Sequence, residues 1–171
     1  DYSGDTAKRC AKGFGELEYI NDTGRNDFTC LKVCRDSENI YFYAETAEKI
    51  TNPTDDNWMT LFIKLGNGKK GYNYAVNFEK PEKTGAVLSQ CQEDGQWKKI
   101  DVVAMKIEYN KMMLAISRET LEIGNNLVDF QFKWADNYRK NEKGQVDIYS
   151  FYCDGDAAPY GRMNYVYSEK V

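Results

Sequence analysis

Histidine is missing from this chain altogether. Its absence removes the side chain that ordinarily moves protons near neutral pH, and with it every nucleophile built on a Ser-His or Cys-His pair. Proline is scarce, and Pro53, Pro81 and Pro159 all stand between runs of strand-forming residues, where a missing N–H breaks no ladder. No apolar run approaches the ~18 residues that a bilayer span requires, so no membrane insertion is expected. Basic charge is not in excess: 23 Lys and Arg are interspersed with 27 Asp and Glu, for a net charge of −4. Without a basic stripe to neutralise phosphates, no nucleic acid partner is expected. The five cysteines, Cys10, Cys30, Cys34, Cys91 and Cys153, are an odd number, which excludes a complete set of intramolecular disulfides. Cys30 and Cys34 lie four apart on a predicted strand, roughly 13 Å between Cα atoms, and cannot bridge each other. There is no Cys-x-x-Cys either, so structural zinc has no ligand set.

What is present is a chain 42% hydrophobic and 14% aromatic, too rich to stay disordered and of a size for one core. Residues 1–171 therefore read as a single domain. Short runs of Tyr, Phe, Val and Ile, punctuated by Gly, Asn and Asp, predict antiparallel strands. They fall at Glu16–Ile20, Phe28–Arg35, Asn39–Thr46, Trp58–Leu65, Tyr72–Phe78, Ala86–Cys91, Asp101–Tyr109, Met112–Ser117, Leu127–Trp134, Val146–Phe151 and Met163–Tyr167. Only Ser117–Glu122 reads as helical, capped by Ser117 and stopped by Gly124. Within Asn39–Thr46, Ile40, Phe42 and Ala44 point to one side, and Tyr41, Tyr43 and Glu45 to the other. So many strands with one buried face each predict an all-β fold, two antiparallel sheets packed as a sandwich of the immunoglobulin or jelly-roll kind with one short helix. A closed barrel is the alternative.

Chemistry is harder to place. Gly66-Asn67-Gly68-Lys69-Lys70 lacks the glycine frame of a phosphate loop and reads as a hairpin turn. Asp55-Asp56-Asn57 and Asp154-Gly155-Asp156 are dense carboxylate loops of the kind that hold calcium, though neither has EF-hand spacing. Trp58, Trp97 and Trp134 are the other resource, since flat aromatic faces stack on the C–H faces of sugars. Trp58 and Trp134 lie in or at the ends of strands, where indoles usually fill a core, whereas Trp97 follows a Gly-Gln turn and is expected to be exposed.

Three segments in order, Gly24-Arg25-Asn26-Asp27, Arg35-Asp36-Ser37-Glu38-Asn39-Ile40-Tyr41-Phe42-Tyr43 and Asn57-Trp58-Met59-Thr60-Leu61-Phe62-Ile63, resemble the family 9 carbohydrate-binding modules and their relatives. Phe132-Lys133-Trp134-Ala135-Asp136-Asn137 and Asp154-Gly155-Asp156-Ala157-Ala158-Pro159-Tyr160-Gly161-Arg162 are similar to segments that end such modules in large exported bacterial proteins. The resemblance implies a β-sandwich, often with calcium, that binds saccharide and does not catalyse. It also implies a secreted, periplasmic or cell-surface location. A chain opening at Asp1-Tyr2-Ser3-Gly4 with no Met fits either removal of a signal peptide or a domain taken from a longer protein. On this reading Trp58 and Trp134 supply stacking faces, Asp136, Asn137 and Arg162 contact sugar hydroxyls, and Asp154 and Asp156 are the metal ligands. The expected partners are a mono- or polysaccharide and a neighbouring domain of the parent protein. Other readings are a purely structural domain that docks on a neighbour, marked by buried tryptophans, and a glycosidase using two facing carboxylates. A last one is a haem-binding relative of the sandwich, for which only methionines such as Met112 or Met163 could serve as axial ligands.

Overall fold

The computed structural model describes residues 9–13, 15, 18–21, 23–66, 71–152 and 155–169. Its strands are β1 (Arg9–Lys12), β2 (Glu18–Asn21), β3 (Phe28–Arg35), β4 (Asn39–Thr46), β5 (Thr60–Leu65), β6 (Tyr74–Val76), β7 (Ala86–Cys91), β8 (Trp97–Glu108), β9 (Lys111–Ser117), β10 (Asp129–Asp136), β11 (Asp156–Ala158) and β12 (Tyr165–Ser168). A small β1–β2 hairpin stands apart. The remaining strands run β11-β10-β5-β6-β7-β8-β9-β4-β3, with β12 also on β10, and each of these pairings is antiparallel. The fold is all-β, as the alternation predicts.

β8 divides this ribbon into two layers. Its first half pairs with β7 as far as Val103, and its second half pairs with β9 from Ala104 onward, so the strand passes from one sheet to the other. The inner faces meet in one core: Phe42 of β4 lies 5.6 Å from Phe130 and 5.8 Å from Phe132 of β10. Ile40, Phe42 and Ala44 are all buried, the inward face read from β4. Each large apolar side chain so buried stabilises the fold by about 1.5–3 kcal/mol.

The outer strands β3 and β12 come back toward one another, giving a near-barrel. One end of their seam is tied by the Phe28 N–H donating to Asp156 Oδ2 at 2.6 Å, the other by the Arg35–Glu169 ion pair at 2.5 Å. Between these ties Leu31, Val33, Phe132, Tyr165 and Tyr167 line a cleft of about 450 Å3.

Three local expectations are corrected. Val146–Phe151 alternates like a strand, but Ile148–Tyr152 forms a 3-10 helix. Asp147 turns the chain there, its side chain accepting from Tyr149 N–H and its carbonyl from Ser150 N–H. Ser117–Glu122 makes a turn instead of a helix. Its buried Arg118 donates to the carbonyls of Asp36 and Asn126, and Gly124 N–H folds back to Arg118 O. Trp97 is the first residue of β8, half-buried and stacked on Phe78 at 4.8 Å. The turn residues Asn67, Gly68, Lys69 and Lys70 lie outside the described residues. No helix among the described residues is long and apolar enough to cross a membrane.

Candidate functional site

Most of the residues predicted to bind sugar or metal gather at one corner of the sandwich. Trp58 and Trp134 are 1% and 0% exposed, so neither indole offers a face to a ligand. The reason is positional: Trp134 shares the inward side of β10 with Phe130 and Phe132, and Trp58, just before β5, packs into the same core. Trp134 packs 6.1 Å from Phe28, and Trp58 Nε1 donates to Thr51 O at 2.8 Å.

Asp136 ends β10 with its carboxylate buried, and three donors saturate it: Arg25 Nε at 2.7 Å, Met59 N–H at 2.9 Å and Asn26 Nδ2 at 3.0 Å. Burial pushes this carboxyl up to about 6 against the pull of Arg25, so it is ionised at neutral pH. Arg25 also grips Asp55 at 2.6 Å, and the hydrogen bond from Arg25 holds Asp55 below the usual carboxylate range. Asn137 adopts a positive φ of 55° and its N–H donates to Asn57 O at 2.7 Å. Asp156 is buried with Oδ2 on the Phe28 amide. The corner thus joins the loop before β3, the start of β5 and the end of β10. The Gly24-Arg25-Asn26-Asp27 segment supplies two of the donors.

Its carboxylates fit a calcium ion poorly. Asp55 and Asp136 share a guanidinium, Asp156 accepts a backbone N–H, and among the described residues no three His, Cys, Asp or Glu side chains are grouped to hold a metal. Asp154 lies outside the described residues. Arg162 is exposed on the loop after β11. Met112 is a core residue and Met163 is exposed.

An open surface exists elsewhere. Two of the sheet faces form the core, and the outer side of the β5–β6–β10 layer is roofed by the segment after β10. Tyr138 and Phe151 of that roof lie 5.3 Å and 5.9 Å from Phe62. The outer side of β3–β4–β9–β8 has no such roof among the described residues. The strand registers arrange its side chains in cross-strand rows. One row is Cys34, Tyr41, Ala115 and Ala104; the next is Lys32, Tyr43, Met113 and Lys106; the third is Cys30, Glu45, Lys111 and Glu108.

Tyr41 and Tyr43 stand side by side on β4, roughly 7 Å apart along the strand. Beyond Tyr41 the alanines leave the sheet low, and Met113 is 45% exposed. A hollow of about 380 Å3 opens here, with Tyr41, Tyr43, Met113, Lys32, Lys111 and Glu108 in its lining. That volume lies within the range of roughly 300–1,000 Å3 usual for small-molecule sites.

The tyrosines are anchored at their tips. Tyr41 donates to Asp36 Oδ2 at 2.7 Å, which lowers the Asp36 carboxyl and raises the phenol. Tyr43 donates to Glu45 and is pushed up to about 12 by that bond. Lys32 Nζ sits 5.3 Å from the Tyr43 ring centroid. The period of β4 placed these tyrosines outward, but the sequence does not show which outer face the chain later covers.

Compared with known proteins, the chain matches no family model, no curated protein and no solved structure.

Proposed function

We propose that the chain is a non-catalytic, carbohydrate-binding-like module of the family 9 kind, an accessory part of an exported bacterial protein that acts on glycans. Its ligand surface, on this reading, is the outer side of β3–β4–β9–β8 and not the tryptophan corner. The observation that carries the reading is the pair of anchored, partly exposed tyrosines over an apolar hollow on an unroofed sheet. Sugar rings lay their C–H faces on aromatic rings while their hydroxyls bond to neighbouring charged groups. Tyr41 and Tyr43 supply the rings; Lys32 stands in the row of Tyr43, and Glu45 and Lys111 stand in the next row.

Affinity electrophoresis through gels carrying a panel of polysaccharides tests this. The wild-type chain is retarded by at least one polymer, and Tyr41→Ala and Tyr43→Ala, each with unchanged far-UV circular dichroism, lose about tenfold in affinity, the size of one stacking contact of about 1.4 kcal/mol. Retardation untouched by both substitutions, or none by any polymer, contradicts it. The burial of Trp58 and Trp134 favours a second reading, a structural domain that docks on a neighbouring domain. That reading predicts no retardation by any polymer.

A further inference from the structure

The open sheet face is not electrically uniform. In the third row Lys111 stands between Glu45 and Glu108, its direct cross-strand partners, so acidic residues flank it on both sides. The middle row holds Lys32 and Lys106 at its two ends with Tyr43 and Met113 between them and no acidic residue. Among the described residues neither lysine makes an ion pair; Lys32 rests on the Tyr43 ring. Two of the nearby acids are already engaged, Asp36 by the Tyr41 hydroxyl and Glu45 by the Tyr43 hydroxyl. The ammonium groups are therefore the uncommitted donors of this surface.

From this charge pattern we infer that the face takes an anionic polysaccharide, one bearing carboxylate or sulfate groups, with sugar rings on Tyr41 and Tyr43 and acidic substituents on Lys32 and Lys106. The inference rests on the carbohydrate reading above and narrows it. Lys32 and Lys106 sit on strands three steps apart, about 14 Å at the usual strand spacing. That span exceeds one pyranose ring, so a polymer and not a free sugar engages both. Because the chain as a whole is negative, such binding depends on the local pattern and weakens as salt screens it.

The test pairs polymers that differ only in charge: polygalacturonate against its fully methyl-esterified form, and dextran sulfate against dextran, in affinity gels run with the intact chain. The wild type is retarded by a charged polymer at least tenfold more strongly than by its neutral counterpart. The Lys32→Ala/Lys106→Ala double variant loses that preference, Lys32→Arg/Lys106→Arg keeps it, and Tyr43→Ala weakens retardation by the charged polymer. Retardation by polygalacturonate alone assigns the carboxylate, and by dextran sulfate alone the sulfate. Equal, tyrosine-dependent retardation by charged and neutral polymers overturns the anionic preference while the carbohydrate reading stands. A lysine-dependent effect indifferent to Tyr43→Ala is plain ion exchange and overturns the inference. No tyrosine-dependent retardation by any polymer overturns both.

Discussion

Asp136 illustrates how a carboxylate chosen for its chemistry can turn out to be a structural joint. Its oxygens hold Arg25, Asn26 and the Met59 amide, and removing it leaves these three donors without their acceptor and the largely buried guanidinium with only the partly exposed Asp55 as counter-charge. Asp136→Ala is therefore expected to cost about 3–5 kcal/mol, the penalty for breaking a buried ion pair by removing one partner, read from urea unfolding at neutral pH. Lys133 is a second buried charge. It donates to Pro159 O and lies 5.1 Å from the Phe151 ring centroid, and burial draws its ammonium down to about 7 against the opposing influence of Asp156. Unfolded lysine keeps its proton to about 10.4, so unfolding takes up a proton between about pH 7 and pH 10. The folded state binds fewer protons in that window, and stability rises with pH across it. Relative to Lys133→Met, the wild type should gain about 2 kcal/mol between about pH 7 and pH 9, measured as the difference between two urea titrations at each pH. A flat difference would show that Lys133 keeps an ordinary ammonium.

Among the elements, β3, β4 and β7 have the bounds predicted for them: β-branched and aromatic residues recur in β3 and β4, β7 is a short run opening on Ala86-Val87-Leu88, and turn residues lie between these strands and their neighbours. Elements whose limits depend on distant partners were less legible. β8 begins at Trp97, before the predicted Asp101, because β7 supplies a partner for Trp97–Lys99. β11 is three residues of Asp and Ala with no strand propensity, held by Trp134, Ala135 and Asp136 of β10. Gly155 makes that approach possible: a Cβ built there would stand 1.9 Å from Asp136 O and 2.8 Å from Asn137 Cβ. Backbone cannot yield as a flexible side chain does. Gly155→Ala is expected to push β11 away from β10 and lower stability by about 2–4 kcal/mol, in the range of severe overpacking, with a matching loss of amide protection in Ala157 and Ala158. Unchanged stability would mean that β11 contributes little to the fold.

At the scale of the molecule, alternation identified the layers and one side of each strand as core, but not how the layers are clothed. Trp58 and Trp134 went inward because they stand at the entry to β5 and on the core side of β10, and the segment 138–151 covers one outer face while leaving the other open. Coverage is decided by tertiary placement, so the tyrosine face was legible as an outward set and not as a site. The cysteines bear on the whole fold as well. Cys10, Cys30 and Cys34 are free, with Cys10 and Cys34 exposed, and Cys91 is half-buried. Reductant should leave the melting temperature unchanged, and a thiol reagent should modify Cys10 and Cys34 in the native state faster than Cys30 and Cys91. A fall in melting temperature on reduction would point to a disulfide holding the fold.

The central claim is that the outer side of β3–β4–β9–β8 is the ligand surface, and amide chemical-shift mapping during titration with oligosaccharide fragments of the retarding polymer tests it most directly. The account predicts shifts concentrated in Lys32–Cys34, Tyr41–Glu45, Ala104–Glu108 and Lys111–Ala115. Shifts centred instead on Trp58, Asp136 and Asn137 would return the site to the corner between β5 and β10 and contradict it.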